Sequence, residues 1–355
     1  MDLVIIAVAM VQRYTRNINH VARSGMTKVA VLGLGNFGTA LAKNWLDAGM
    51  EVVGWTVEDE VYTAVRDKSE NTKYLPGLAL PGMGISMQIE ETVTGADIVI
   101  FALPSAVVLD VVEQTLPFLQ PEQILIDLAK GLAPGDQLIS EAIEAKLSAV
   151  NLTNKLCVMM GPTIAPELAR GVYTSALVTS EDADVAANMA QTLSTKTLSL
   201  AAGTDPRGAE LWGAFKNVIA LACGVVDGLK EDGRGGDNLK AAIFAAGYRE
   251  GVQVLTALGA QQETAFSAAG IGDLFVTATS PHGRNREMGE RLGKGQTLVE
   301  AEAAMVMVSE GVRAARMFKS LCSAQGAAAP FVGVVCGLLD DGTSIEEFLA
   351  QVMKL

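Results

Sequence analysis

At 355 residues the chain has room for about two domains, half of its residues are apolar, and its formal net charge is −13. That acidic balance argues against nucleic acid, whose phosphates need a basic face, and against an anionic membrane surface; a small anionic substrate would need local positive groups held against the overall field. Four scattered cysteines without a C-x-x-C pair indicate neither a zinc site nor a disulfide framework, and two histidines leave any general base to Lys, Asp, Glu or Tyr.

Residues 1–25 stand apart from the rest of the chain. The apolar run 3–11 is far short of the roughly 20 residues that a membrane span needs. Arg13, Arg16 and Arg23 come after it, whereas a signal peptide puts its positive charge first. Met26 then opens M-T-K-V-A-V-L-G, a natural chain start. Residues 1–25 are therefore read as an N-terminal extension, a dispensable tail or the product of an upstream start codon, with an organelle-targeting peptide as the lesser reading. Deleting them should leave specific activity intact. A soluble truncated protein with activity lost several-fold would show that the extension packs on the site.

The run Lys28–Leu32 predicts a buried strand. Gly33-Leu-Gly-Asn-Phe-Gly38 comes directly after it, ahead of a helical pattern over 39–48. Between a strand and a helix, G-x-G-x-x-G binds a dinucleotide: the glycines permit the turn and the approach of the pyrophosphate, and the helix N-terminus stabilises its charge. Gly33, Gly35, Asn36, Phe37 and Gly38 are thus candidate cofactor-binding residues. A second strand, Glu51–Trp55, runs into Thr-Val-Glu58-Asp59-Glu60. Acids here accept hydrogen bonds from the adenosine 2′-hydroxyl and repel a 2′-phosphate. No Arg stands right after Trp55, so NAD is expected over NADP. Further strands are predicted over 96–103, 123–128 and Leu156–Met160, with helical patterns between. Strands alternating with helices predict a parallel, doubly wound sheet of the Rossmann type.

After about residue 205 the β-rich runs disappear. Helices are predicted over 209–229, 238–258 and 344–353, the last with Ser344 and Glu347 spaced as a capping box; the glycine-rich stretch 230–237 reads as a loop. The expected division is a dinucleotide-binding Rossmann domain over 26–205 and an all-helical substrate and catalytic domain over 206–355. On the first of these helices, Lys216 shares a face with Gly213, Ala220, Cys223, Gly224 and Asp227, while Trp212, Phe215, Val218, Ile219, Leu221 and Val225 lie elsewhere. A stripe of small residues lets another backbone, or a ligand, come close. Lys216 is then either a lysine snorkelling out of a tight helix pair or a buried amine whose lowered pKa suits a base. Ala269-Gly-Ile-Gly-Asp-Leu274, Thr277 and Gly283-Arg-Asn-Arg286 have bland readings as a helix cap and a solvated loop. Together with Lys216-Asn217 they also supply a base, an orienting carboxylate and a planar anion clamp suited to phosphate.

From about residue 28 to the C-terminus the sequence resembles the soluble, nicotinamide-dependent glycerol-3-phosphate dehydrogenases. Eight motifs carry the likeness in order: the Gly33 loop, Asn71-Thr-Lys-Tyr-Leu-Pro-Gly77, Ala129-Lys-Gly131, Gly161-Pro-Thr-Ile-Ala165, Phe215-Lys-Asn-Val218, Gly270-Ile-Gly-Asp-Leu274, Gly283-Arg-Asn-Arg286 and Ser309-Glu-Gly311. The resemblance implies hydride transfer between sn-glycerol 3-phosphate and dihydroxyacetone phosphate, with NAD or NADP as cofactor. It implies Lys216 as general base, Lys130 as a lysine near both substrate and nicotinamide, and Asp273 as the carboxylate orienting the reacting end. Arg284, Asn285 and Asn217 would hold the substrate phosphate, with Gly161, Thr163 and Thr277 as further substrate contacts. Ala165, Val308 and Glu310 would touch the cofactor, as would Lys130 and Arg284. A cytoplasmic homodimer supplying glycerophospholipid synthesis is implied as well.

The chain departs from the bacterial pattern in a longer loop between Asp227 and Asn238, in Gly283 where Ser is usual, and in lacking the Arg after the second strand. Two other readings compete. A β-hydroxyacid dehydrogenase shares the two-domain plan and a helical Lys-Asn but acts on carboxylates, and the Gly-Asp-Leu and Arg-Asn-Arg segments favour phosphate. A nucleotide-binding regulator that senses NADH without turnover would not need Lys216.

Overall fold

β-branched runs such as Lys28–Leu32 and Ile98–Phe101 are buried almost throughout, as strands covered on both faces are. In the computed structural model, which describes residues 26–281, 283–305 and 309–355, the first half of the chain runs β1 (Lys28–Leu32), α1 (Asn36–Asp47), β2 (Glu51–Trp55), α2 (Asp59–Lys68), β3 (Gly84–Ser86), α3 (Ile89–Val93), β4 (Ile98–Phe101), α4 (Val108–Thr115), β5 (Ile124–Asp127), α5 (Ile139–Ala149), β6 (Leu156–Met160), α6 (Ala165–Ala169), β7 (Thr174–Thr179), α7 (Ala183–Leu193) and β8 (Leu198–Gly203). The expected extension over residues 1–25 lies outside the described residues. Strand order in the one sheet is β3-β2-β1-β4-β5-β6-β7-β8. The order reverses between β1 and β4, and the crevice beyond the C-terminal ends of such strands is where open α/β sheets bind ligands.

The sheet is not parallel throughout. β6 and β7 run antiparallel, while every other neighbouring pair is parallel. The reason lies in the connection over 161–173. It stays at one end of the strands, where its short helix α6 packs on α1. β7 and β8 (T-S-A-L-V-T and L-S-L-A-A-G) also escape a reading by apolar runs, because Ser, Thr and Ala dilute the pattern. β3 has only three residues.

The second half is helical: α8 (Pro206–Gly228), α9 (Asp237–Ala257), α10 (Asp273–Thr279), α11 (Arg284–Gly293), α12 (Leu298–Ala303), α13 (Glu310–Gln325), α14 (Pro330–Asp340) and α15 (Ile345–Val352). α8 is its axis, with α9, α10, α11 and α13 packed around it. Asp205 starts α8 by accepting the Gly208 N–H at 2.9 Å, and Pro206 supplies a preset φ. The same carboxylate accepts from the Gln261 N–H and the Thr264 hydroxyl, which pins the loop after α9 to the helix. α8 is long and apolar enough to cross a membrane, yet its whole apolar stretch is buried inside the protein, which makes it a core helix. Phe215 meets Phe318 of α13 edge-on with ring centres 4.9 Å apart.

The stripe of small residues on α8 has one backbone partner. A methyl group added at Gly224 would stand 2.0 Å from the Arg286 carbonyl oxygen, and one at Gly289 would stand 1.9 Å from that of Leu221. Backbone contact at these points leaves no room for a side chain. The Gly224 end of the stripe therefore takes α11, while at the other end Gly213 faces the Met160 side chain and Lys216 meets Asp273. At the C-terminus, Ser344 and Glu347 form the expected capping box of α15.

Candidate active site

Three elements converge on one carboxylate. Lys216 lies near the middle of α8. Asp273 opens α10 just after a π-helical turn over Ala268–Gly272, a distortion often found at functional sites. Lys130 comes from the loop after β5. The Lys216 Nζ lies 2.5 Å and the Lys130 Nζ 2.9 Å from the same Asp273 Oδ2. Lys130 also donates to the Gly161 carbonyl at 3.3 Å, and Thr277 donates its hydroxyl to the Asp273 carbonyl at 2.6 Å. Lys216 does not snorkel: it is 4% exposed and Asp273 is 3% exposed.

Two ammonium groups thus face one carboxylate, largely out of water. Burial pushes the Lys216 pKa down, Asp273 pulls it back and the Lys130 charge pushes it down again, to about 8. Burial works downward on Lys130 as well, but there Asp273 outweighs it and the pKa stands above the ordinary lysine value. Burial works upward on Asp273, but Lys130 and then Lys216 hold it below the usual carboxylate range. The more deeply buried amine, Lys216, is the one placed to give up its proton near neutrality; its side chain is 5% exposed against 26% for Lys130.

Next to this pair an amide knot joins three helices. Asn285 donates its Nδ2 to the Asn217 Oδ1 at 2.8 Å. Its own Oδ1 accepts from the Ser309 hydroxyl at 2.9 Å and from the Gly311 N–H at 2.8 Å. Asn217 in turn donates to the Gly213 carbonyl. Among the described residues each amide nitrogen donates one such bond, which leaves it a second N–H. Arg284, exposed at the start of α11, precedes the knot. Arg286 is committed to the packing of α11 on α8, paired with Asp227 at 3.0 Å and Glu290 at 2.9 Å.

The glycine loop has the shape its motif requires. Gly33 has φ +106°, and a Cβ there would stand 2.5 Å from the Ala102 carbonyl; one on Gly38 would stand 2.0 Å from the Gly33 carbonyl. Gly35 caps α1 and faces open space. A pyrophosphate fits this cradle, because the N-terminal N–H groups of α1, among them those of Asn36 and Phe37, open onto it. Ala165 begins α6, beside α1. Glu310 opens α13 and lines a cavity of about 40 Å³ with Lys130, Asn217, Ser105 and Arg313. Gly161 is buried and Thr163 half-buried after β6. Val308 lies outside the described residues. A larger cavity of about 320 Å³ runs along α13 from Ser309 to Ser320; neither cavity is lined by Lys216 or Asp273, but the smaller one is lined by Lys130 and Asn217, their neighbours in the site, and the larger is not.

Two braces of the Lys130 loop escape a reading of the sequence. The buried Asp127 accepts the Ala129 N–H at 3.2 Å, and Arg313 of α13 donates to the Leu132 carbonyl at 3.3 Å. An Asp two residues before a turn is a signal that could have found the first. Nothing local marks the second.

A family model described as NAD-dependent glycerol-3-phosphate dehydrogenase N-terminus matches residues 28–186, and one described as the C-terminus of the same enzyme matches residues 205–350. A Thermobifida fusca protein named glycerol-3-phosphate dehydrogenase (NAD(P)+) is 36% identical over 332 residues, which span 93% of this chain and 97% of that one. A Clostridium perfringens protein of the same name is 33% identical over 93% of this chain and 98% of its own length. The crystal structure of glycerol-3-phosphate dehydrogenase from Coxiella burnetii, 26% identical, superposes with a TM-score of 0.82 over 93% of this chain and 99% of that one.

Proposed function

The chain belongs to the NAD-dependent glycerol-3-phosphate dehydrogenase family, and from that premise we propose that it interconverts sn-glycerol 3-phosphate and dihydroxyacetone phosphate with Lys216 as the general base. The observation that carries the assignment of the base is the sharing of Asp273 by two lysines, of which Lys216 is the more buried. The glycine loop, Ala165, Val308 and Glu310 would hold a nicotinamide dinucleotide, which would supply the hydride acceptor. Lys216 takes the C2 hydroxyl proton at its Nζ as the C2–H bond gives up its hydrogen and electron pair. Lys130 stays charged and donates toward the same oxygen, while Asp273 keeps both amines in place. Arg284 and the spare N–H groups of Asn285 and Asn217 hold the phosphate, at a helix N-terminus that favours negative charge. Gly161, Thr163 and Thr277 complete the substrate contacts. With a Rossmann domain over 26–205 and a helical catalytic domain over 206–355, the reaction would lie between the two. A cytoplasmic homodimer serving glycerophospholipid synthesis completes the reading; four free, buried cysteines suit a reducing compartment. Sedimentation velocity tests the dimer. Turnover of dihydroxyacetone phosphate with NADH tests the activity, and its absence in folded protein would overturn it.

The direction of proton transfer sets the pH dependence. Oxidation needs the neutral amine, so its kcat should rise with pH through about 8 and level off above. Reduction needs the ammonium, so its kcat should fall over the same range. Profiles of kcat taken in both directions check this. Flat profiles between about pH 7 and about pH 9 would take Lys216 out of the proton path.

The acids after β2 favour NADH over NADPH. A 2′-phosphate brought near a carboxylate meets repulsion on the order of 1 to 3 kcal/mol where screening is poor. Glu58 is about a third exposed, which puts the effect at the low end. NADH should therefore give the higher kcat/KM; equal or better values with NADPH would contradict the reading.

A further inference from the structure

The motif Asn71-Thr-Lys-Tyr-Leu-Pro-Gly77 has no part in the chemistry described so far, yet it is fastened to the glycine loop. Asn71 is wholly buried. Its Nδ2 donates to the Leu34 carbonyl and to the Thr39 hydroxyl, both at 2.9 Å, so it spans the turn between β1 and α1. Its Oδ1 accepts the Tyr74 N–H at 3.2 Å. Residues 71–74 are thereby locked against the nucleotide cradle. From that anchor two side chains reach the end of β2. The Tyr74 hydroxyl donates to the Glu58 Oε1 at 2.7 Å, and the Lys73 ammonium pairs with the Glu58 Oε2.

Glu58 stands where a cofactor's adenosine ribose is read. It caps α2, three residues beyond Trp55, whose carbonyl accepts the Gly33 N–H at 3.1 Å. Lys73 and then Tyr74 hold the Glu58 carboxyl below its ordinary range, so it stays ionised and aimed. Lys73 also comes within 3.9 Å of Glu60. The end of β2 therefore carries a carboxylate, a phenol and an ammonium rather than acids alone.

We infer that Lys73 and Glu58 act as one device that sets the preference between NAD and NADP: Glu58 accepts from the ribose 2′-hydroxyl, and Lys73 is the cation a 2′-phosphate would recruit from it. This rests on the dinucleotide reading of the glycine loop. Lys73 is a positioning residue while NAD is bound, because it holds the carboxylate that touches the ribose. For NADP it becomes the contact itself, and Glu58 is the competitor that the phosphate must displace. The pair explains why a chain without an Arg after β2 need not reject NADP outright. It also makes the preference adjustable at two positions with opposite signs.

The test is direct binding without substrate. Dissociation constants for NADH and NADPH are measured by nucleotide fluorescence for the full-length protein, Glu58→Gln and Lys73→Met. Glu58→Gln removes the competing charge and should tighten NADPH about tenfold while weakening NADH. Lys73→Met leaves Glu58 without its cation and should weaken NADPH about tenfold, with NADH within about threefold because Tyr74 still holds the carboxylate. The difference between the two cofactors in Lys73→Met should shrink at high salt. Opposite movements of the NADPH/NADH ratio support the device. A ratio that moves less than about twofold in either variant, or in the same direction in both, overturns it and leaves an ordinary surface ion pair. The preference of the unaltered protein is a separate result. Should NADPH bind as well as NADH, the expected preference for NAD fails, while the opposite movements would still decide the role of the pair.

Discussion

Lys216→Met should lower kcat by roughly 10² to 10⁴ in both directions. Methionine keeps the length and apolar stem of lysine and removes the amine. Oxidation then lacks its proton acceptor and reduction its proton donor, so the loss is two-sided. The fold should survive, for a reason visible in the site. Removing one partner of a buried ion pair usually strands a charge. Here Asp273 keeps Lys130 at 2.9 Å and so is not left alone. α8 is apolar along most of its length and buried, a setting that suits a thioether. NADH affinity should stay within about twofold, since the glycine loop is untouched. Circular dichroism, nucleotide titration and steady-state rates on the one variant separate these outcomes. A folded variant with nearly full activity would move the proton-transfer role to Lys130.

What could be read from the sequence was whatever lies in contiguous motifs. Gly33-Leu-Gly-Asn-Phe-Gly38 announces its turn because each glycine answers a local steric demand. Lys216-Asn217 announces itself by an ion in an apolar helix. The capping box at Ser344 is likewise a matter of spacing alone. What could not be read depends on partners brought together through space. Nothing in the chain says that Lys130 and Lys216, 86 positions apart, share one oxygen of Asp273, which sets the Lys130 charge beside Lys216, where it adds to burial in lowering the Lys216 pKa. Glu58, Asp59 and Glu60 look like an acidic edge until Lys73 is seen to reach back through the Asn71 anchor. The antiparallel turn into β7 was hidden for a similar reason, since it comes from α6 packing on α1 rather than from anything within β7 itself.

Arg284→Ala should act mainly at the phosphate end. The two arginines of Gly283-Arg-Asn-Arg286 have different work. Arg286 is held by Asp227 and Glu290 and donates to the Ser280 and Pro281 carbonyls, which sets the loop ahead of α11. It cannot leave those partners to replace a missing neighbour without weakening the hold on Asp227. Arg284 opens α11 beside Asn285, where the helix N-terminus adds a favourable field for an anion. A charge-assisted contact to phosphate contributes about 1.5 to 3 kcal/mol, so kcat/KM for dihydroxyacetone phosphate should fall roughly 10- to 150-fold. Most of the change should appear in KM, because the phosphate is held alike in the bound substrate and at the transition state. Arg284→Lys should recover part of the loss, since it restores the charge but not the two-pronged fork. The control is dihydroxyacetone, which has no phosphate to hold. Its weak turnover should change by less than about twofold if Arg284 serves the phosphate. An equal loss with both substrates would show that Arg284 supports the fold or the cofactor instead, and the anion clamp would then have to be sought in the spare N–H groups of Asn217 and Asn285.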